Sequence, residues 1–257
     1  MMITPVPFEF LGLGRRFRDQ IVDADDRALK TMIGVFKPLA RRADRSTVSR
    51  PELLQDAVRL WRQKMPSVGL LDSKIQMSRR DLHIREVRVG AGTACAPWNA
   101  ATDEPVISIV LVELRVAKDV CRLMVEPVVL LPLHALARWY QRSLDNSDAA
   151  LLTDLAQMAS AYGEILHIHT ALGHRKFLFP ATSGLWVGSV TERLSEATGR
   201  QEQVLSVRTF LPGGTKDTKV ATWSRDQEVL PRRSRDAPFR VPFTQRYVKQ
   251  AGATAQA

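Results

Sequence analysis

Cysteine is nearly absent from this sequence: Cys95 and Cys121 are its only two. Their number and separation exclude a disulfide framework and a cysteine metal knuckle, so both are expected as free thiols in a reducing cytoplasm. Long apolar runs are missing too. No segment supplies the roughly 18 uncharged apolar residues of a membrane-spanning helix, which argues for a soluble chain with no membrane partner. The opening MMITPVPFEFLGLGRRFRD places apolar residues before arginines, the reverse of a secretory signal, so export is not expected. Acidic residues are in deficit, with 27 Asp and Glu against 37 Lys and Arg, a formal net charge of +10. That excess favours polyanions through counterion release and long-range steering. It points to nucleic acid, with an acidic protein partner or inhibitor as the alternative source of negative charge.

Chemical signatures are equally sparse. There is no Gly-x-Ser-x-Gly elbow, kinase motif set or His-Glu-x-x-His helix, which disfavours serine hydrolase, kinase and zincin chemistry. His167 and His169 flank one residue and His174 follows, but no carboxylate or cysteine at suitable spacing completes a metal site. No metal and no cofactor is expected. The glycines of LGLGRRF and LPGGTKD lack the strand, helix and lysine context of a phosphate loop, so Gly213-Gly214 reads as a turn.

What is present reads as an α+β chain: N-terminal helices, then an antiparallel sheet with a helical pair inserted before a C-terminal meander. Residues 15–37 have Leu29, Met32, Ile33 and Phe36 at helical spacing, and Lys37-Pro38 is expected to end that helix. A polar stretch at 41–51 leads to a second helix, with Pro51 in its first turn and Leu53, Leu54, Ala57, Leu60 and Trp61 on one stripe. Residues 82–89 alternate as a strand, followed by a long loop. The β-branched runs 106–117 and 120–131, split by Lys118-Asp119, suggest a hairpin. Pro132 opens a short helix. Asn146 or Ser147 caps another, which Gly163 is expected to close. Strands at 174–180, 184–192 and 202–212 and a weaker one at 218–223 complete the meander. The expected organisation is a helical region 1–80, an α+β body 81–223 and a mobile basic tail 224–257. Seven basic residues (Arg225, Arg232, Arg233, Arg235, Arg240, Arg246, Lys249) outnumber three acidic ones (Asp226, Glu228, Asp236) in that tail, a net of +4.

The most specific chemical feature is the string HALARWYQR, which sets His134, Arg138 and Arg142 at four-residue steps along one helical ridge. Metal-independent RNA cleavage needs a proton acceptor for the 2′-hydroxyl, a proton donor for the leaving oxygen and cations for the phosphate. Histidine titrates near neutrality and arginine grips phosphate oxygens through a planar fork. The same three residues equally suit a solvated helix face. The segment 133–211 resembles the small bacterial RelE-like and barnase-like ribonuclease toxins built on a His-Ala-x-x-Arg-x-x-x-Arg helix, a second helix and an antiparallel sheet with a polar residue on a late strand. That resemblance implies His134 as general acid or base, Arg138 and Arg142 as phosphate ligands and Thr209 as the late-strand residue. Arg208, Arg175 and Lys176 would add contacts to nucleic acid, RNA in preference to DNA. The roughly 130 residues before the motif depart from the compact toxin pattern. Three functions therefore stand open: a metal-independent endoribonuclease or toxin-like domain, a non-catalytic nucleic-acid-binding or adaptor protein, and a basic partner of an acidic protein.

Overall fold

The computed structural model describes residues 6–43, 51–91, 106–117, 120–194, 199, 201–212 and 239–240. The Lys118-Asp119 and Gly213-Gly214 turns, Cys95, the expected strand 218–223 and all of the tail but residues 239–240 lie outside them. The chain is α+β, with N-terminal helices followed by mostly antiparallel strands and a helical pair before the last antiparallel set. No helix among the described residues is long and apolar enough to cross a membrane.

The described residues fall into two compact units, one within 18–91 and 109–127, the other within 6–17, 106–108 and 128–240. The first holds most of helix α1 (Phe8–Ala43), helix α2 (Pro51–Lys64), strands β1 (Leu70–Met77) and β2 (Leu82–Ala91), and most of β3 (Val106–Ala117) and β4 (Val120–Pro132). Its sheet order is β1–β2–β3–β4. Helix α2 starts as its sequence dictates, with Pro51 and Glu52 in the first turn and Arg62 and Lys64 in the last, each complementing the end charges of the helix. Leu54, Ala57, Val58 and Trp61 pack into a core with Ala28, Met32, Val35 and Leu39 of α1 and with Ile84 and Val112 of the strands.

Helix α1 departs from its sequence expectation at both ends and in its buried face, beginning at Phe8 and not at residue 15. It runs through Pro38 to Ala43. The proline gives up its hydrogen bond toward the Gly34 carbonyl, yet the extra turn buries Leu39. Its buried face is Ile21, Ala24, Ala28, Met32, Val35 and Leu39, whereas Leu29 and Ile33 are exposed. Small alanines allow close packing, and the apolar stripe is thereby rotated from the one that the large residues alone suggest.

The same unit buries an ion pair. Glu86 and Arg88 are 3% and 4% exposed. Their side chains meet at 2.9 Å. Glu86 also accepts from the Trp61 indole at 2.7 Å and from Ser73 at 3.3 Å, and Arg88 donates to the carbonyls of Pro66 and Val68. Asp25 stands nearby and accepts from the Ala91 N–H at 3.2 Å. Burial raises the Asp25 pKa above its ordinary 3.8, with the Ala91 bond and Arg88 pulling down and Asp26 pushing up. A carboxyl whose pKa is raised by folding favours the folded state only while protonated. Asp25→Asn is therefore expected to stabilise the protein at pH 7, with the gain shrinking as pH falls through the folded pKa and vanishing below 3.8. Urea titrations at pH 7 and at acid pH check this, and a variant equally affected at both would refute it.

The second unit holds helices α3 (Leu133–Arg142) and α4 (Asp148–Leu172) and strands β5 (Lys176–Ala181), β6 (Gly184–Leu194), β7 (Gln201–Pro212) and β8 (Phe239–Arg240). Its sheet order is β4–β7–β6–β5–β8, in which β4 and β7 are parallel, β7, β6 and β5 antiparallel, and β5 and β8 parallel. Ser147 caps α4 by accepting from the Ala150 N–H at 3.2 Å. The helix passes Gly163, where it was expected to close, and ends at Gly173, whose φ of 67° suits a left-handed C-cap. A helix-interior glycine costs only about 1 kcal/mol, which packing readily exceeds. Trp139, Trp186, Phe177, Phe179 and Phe210 are completely buried, so these aromatics are core and not a stacking platform for bases. Trp139 and Trp186 each meet Phe210 edge to face, the latter at 4.8 Å between centroids. Gly188 is required here: a Cβ would fall 2.5 Å from the Phe177 ring.

Candidate functional site

Strand β7 carries the feature that organises the site. Its ladder with β6 pairs Gly188 with Val207 and then Val187 with Thr209, so Arg208 has no partner on β6. One extra residue in an antiparallel strand is a β-bulge, which bends the strand and re-aims the residue that forms it. Past residue 206, the described pairs of β7 with β4, Val129 with Leu205 and Leu130 with Ser206, have run out. There β4 gives way to α3, which packs on β7.

The His134–Arg138–Arg142 ridge lies along that stretch. His134 is exposed, and its Nε2 lies 2.5 Å from the Arg208 carbonyl oxygen. A carbonyl only accepts, so Nε2 carries the proton and donates it. Two residues along, the Phe210 carbonyl accepts from the Arg142 guanidinium. Arg142 is half-buried, and desolvation followed by repulsion from Arg138 lowers its pKa. Arg138 is 5% exposed and donates to Gln141 at 2.7 Å. Thr209, half-buried, sits between the two carbonyls that accept from the ridge. The ridge therefore supplies donors to strand carbonyls where a neighbouring strand would otherwise supply them.

The other three sequence candidates come together elsewhere in the same unit. Arg175, Lys176 and Arg208 line one open groove of about 790 Å³, bounded by the end of α4, the start of β5 and parts of β6 and β7. All three are exposed, and among the described residues none enters an ion pair. His134, Arg138, Arg142 and Thr209 do not line this groove. The seven candidates thus divide, with Arg208 as the hinge: its carbonyl faces the ridge and its side chain reaches the groove.

Four further groove residues, His169, Ser189, Glu192 and Gln203, were not singled out for nucleic acid by sequence. His169 was weighed only as a metal ligand on a strand. It lies on α4, and among the described residues no group of His, Cys, Asp and Glu is arranged to hold a metal. The His169 Nδ1–H donates to the His174 carbonyl, which leaves Nε2 as an acceptor when the ring is neutral. Burial first, then Arg175, pushes the His169 pKa down, Glu192 partly offsets this, and His174 adds a smaller downward push. The ring is consequently neutral at pH 7. Ser189 is 6% exposed, and its hydroxyl oxygen is closed off from solvent with no hydrogen-bond partner among the described residues.

Chemically, the groove offers cations for phosphate oxygens, with a carboxylate and an imidazole nitrogen beside them. Comparison of the chain with protein-family models, curated proteins and solved structures finds no match.

Proposed function

We propose that this protein binds the phosphate chain of a nucleic acid in the groove of Arg175, Lys176 and Arg208, without cleaving it. One observation carries the reading: three cations, Arg175 and Lys176 side by side in the chain and Arg208 distant from them in sequence, line one open groove and remain outside any ion pair among the described residues. Like charges gathered in this way repel, and a polyanion is the ligand that turns the repulsion into attraction. The net charge of +10 adds steering toward the same partner. Cleavage by the His134 ridge finds less support, because it asks for an imidazole free to exchange its proton with substrate. The Nε2 proton of His134 is engaged by a main-chain carbonyl, and Arg142 is likewise bonded to main chain.

The test is binding of a labelled single-stranded oligonucleotide at several salt concentrations in the presence of chelator. Three phosphate contacts predict a slope of log K against log salt of about −2, from about 0.7 per contact on a single strand. The oligonucleotide should be recovered intact. Absence of binding at about 50 mM salt, or an affinity indifferent to salt, would overturn the reading. Cleavage in chelator that His134→Ala abolishes would establish a nuclease in its place. His134→Ala is expected to cost about 1 kcal/mol of stability, since the Arg208 carbonyl loses a donor, and to change binding by no more than about twofold. Denaturant unfolding and the same titration measure both.

A further inference from the structure

We infer that the groove selects RNA over DNA by reading the ribose 2′-hydroxyl through Glu192 and His169, which stand beside its three cations. This rests on the phosphate-binding reading above and adds the identity of the sugar. A groove lined by cations alone would be indifferent to sugar, because both nucleic acids present the same phosphates. This groove also carries Glu192, whose exposed carboxylate enters no ion pair among the described residues. A carboxylate in a phosphate site repels its ligand unless that ligand brings a hydrogen-bond donor close by. The sugar-phosphate backbone of DNA consists of acceptors only, whereas RNA adds one donor per nucleotide, the 2′-hydroxyl.

One neighbour shares the same polarity. His169 lines the groove with Nδ1–H given to the His174 carbonyl, so its Nε2 offers a lone pair. The downward push on its pKa keeps that lone pair available at pH 7.

The experiment compares RNA, DNA and 2′-O-methyl RNA of one sequence at about 100 mM salt. Wild-type protein should bind RNA about tenfold more tightly than DNA, and 2′-O-methyl RNA, which lacks the donor, should behave as DNA. Glu192→Ala should bring the RNA-to-DNA ratio to within about twofold, with DNA binding tightened by loss of the negative charge. His169→Ala should lower the ratio about threefold, since it removes the second acceptor for the 2′-hydroxyl. Equal binding of RNA and DNA by wild-type protein would overturn this inference and leave the phosphate groove standing, as would a ratio unchanged in both variants. Failure of every oligonucleotide to bind would overturn both.

Discussion

Arg88→Met is expected to lower the unfolding free energy by about 3–5 kcal/mol, the largest single effect of any substitution considered for this chain. Glu86 is 3% exposed and relies on Arg88 for its counter-charge. With methionine in place, the carboxylate keeps the Trp61 indole and Ser73 as donors but loses the cation, while the carbonyls of Pro66 and Val68 lose theirs. An unpaired charge in low dielectric costs far more than the pair it came from contributed. The double variant Glu86→Gln with Arg88→Met removes the charge and preserves an acceptor for Trp61. It should therefore be more stable than Arg88→Met alone, a coupling that a double-mutant cycle reads directly. Denaturant unfolding of the four proteins decides the matter. A single-variant loss below about 1 kcal/mol would mean that water reaches the pair.

Replacing Arg175, Lys176 and Arg208 together by alanine is expected to weaken binding of a single-stranded oligonucleotide about 100-fold near 0.1 M salt. Each phosphate contact on a single strand releases about 0.7 of a counterion, worth about 0.7 of a decade at that salt, so three contacts give about two decades. The slope of log K against log salt should flatten by about 2 at the same time. Both changes must occur together. A loss of affinity with an unaltered slope would place the phosphate contacts elsewhere and make the triple variant a case of damaged structure. All three side chains are exposed, so their removal should leave the unfolding midpoint nearly where it was.

Local chemistry made much of this fold legible. Pro51 and Glu52 announce α2, Ser147 announces α4, and the β-branched runs from Val106 to Leu131 announce two strands; each signal lies within a few residues of its effect. What escaped depends on distant partners. Strand β1 has Leu71 buried but Asp72, Ser73 and Lys74 all exposed, so it lacks the alternation by which a strand is recognised. Pro38 and Gly163 look like helix ends, and packing of Leu39 and Ile165 carries the helices past them. At the site, Arg175, Lys176 and Arg208 could be named from charge and position. Their separation from His134 could not, because a bulge belongs to the ladder between β6 and β7 and leaves no mark within β7 itself. Glu192 was unreadable for a related reason: a carboxylate becomes informative only once three cations are known to surround it.

The unmatched residue in β7 has a genetic consequence. Without Arg208, the rungs Gly188 to Val207 and Val187 to Thr209 would simply become neighbours, and every other pairing of the two strands would stand unchanged. A single in-frame codon deletion would therefore strip out one of the groove's cations and the oxygen that holds the His134 ring, while the sheet lost nothing it uses. Architecture and ligand chemistry meet at a position that the ladder itself treats as dispensable.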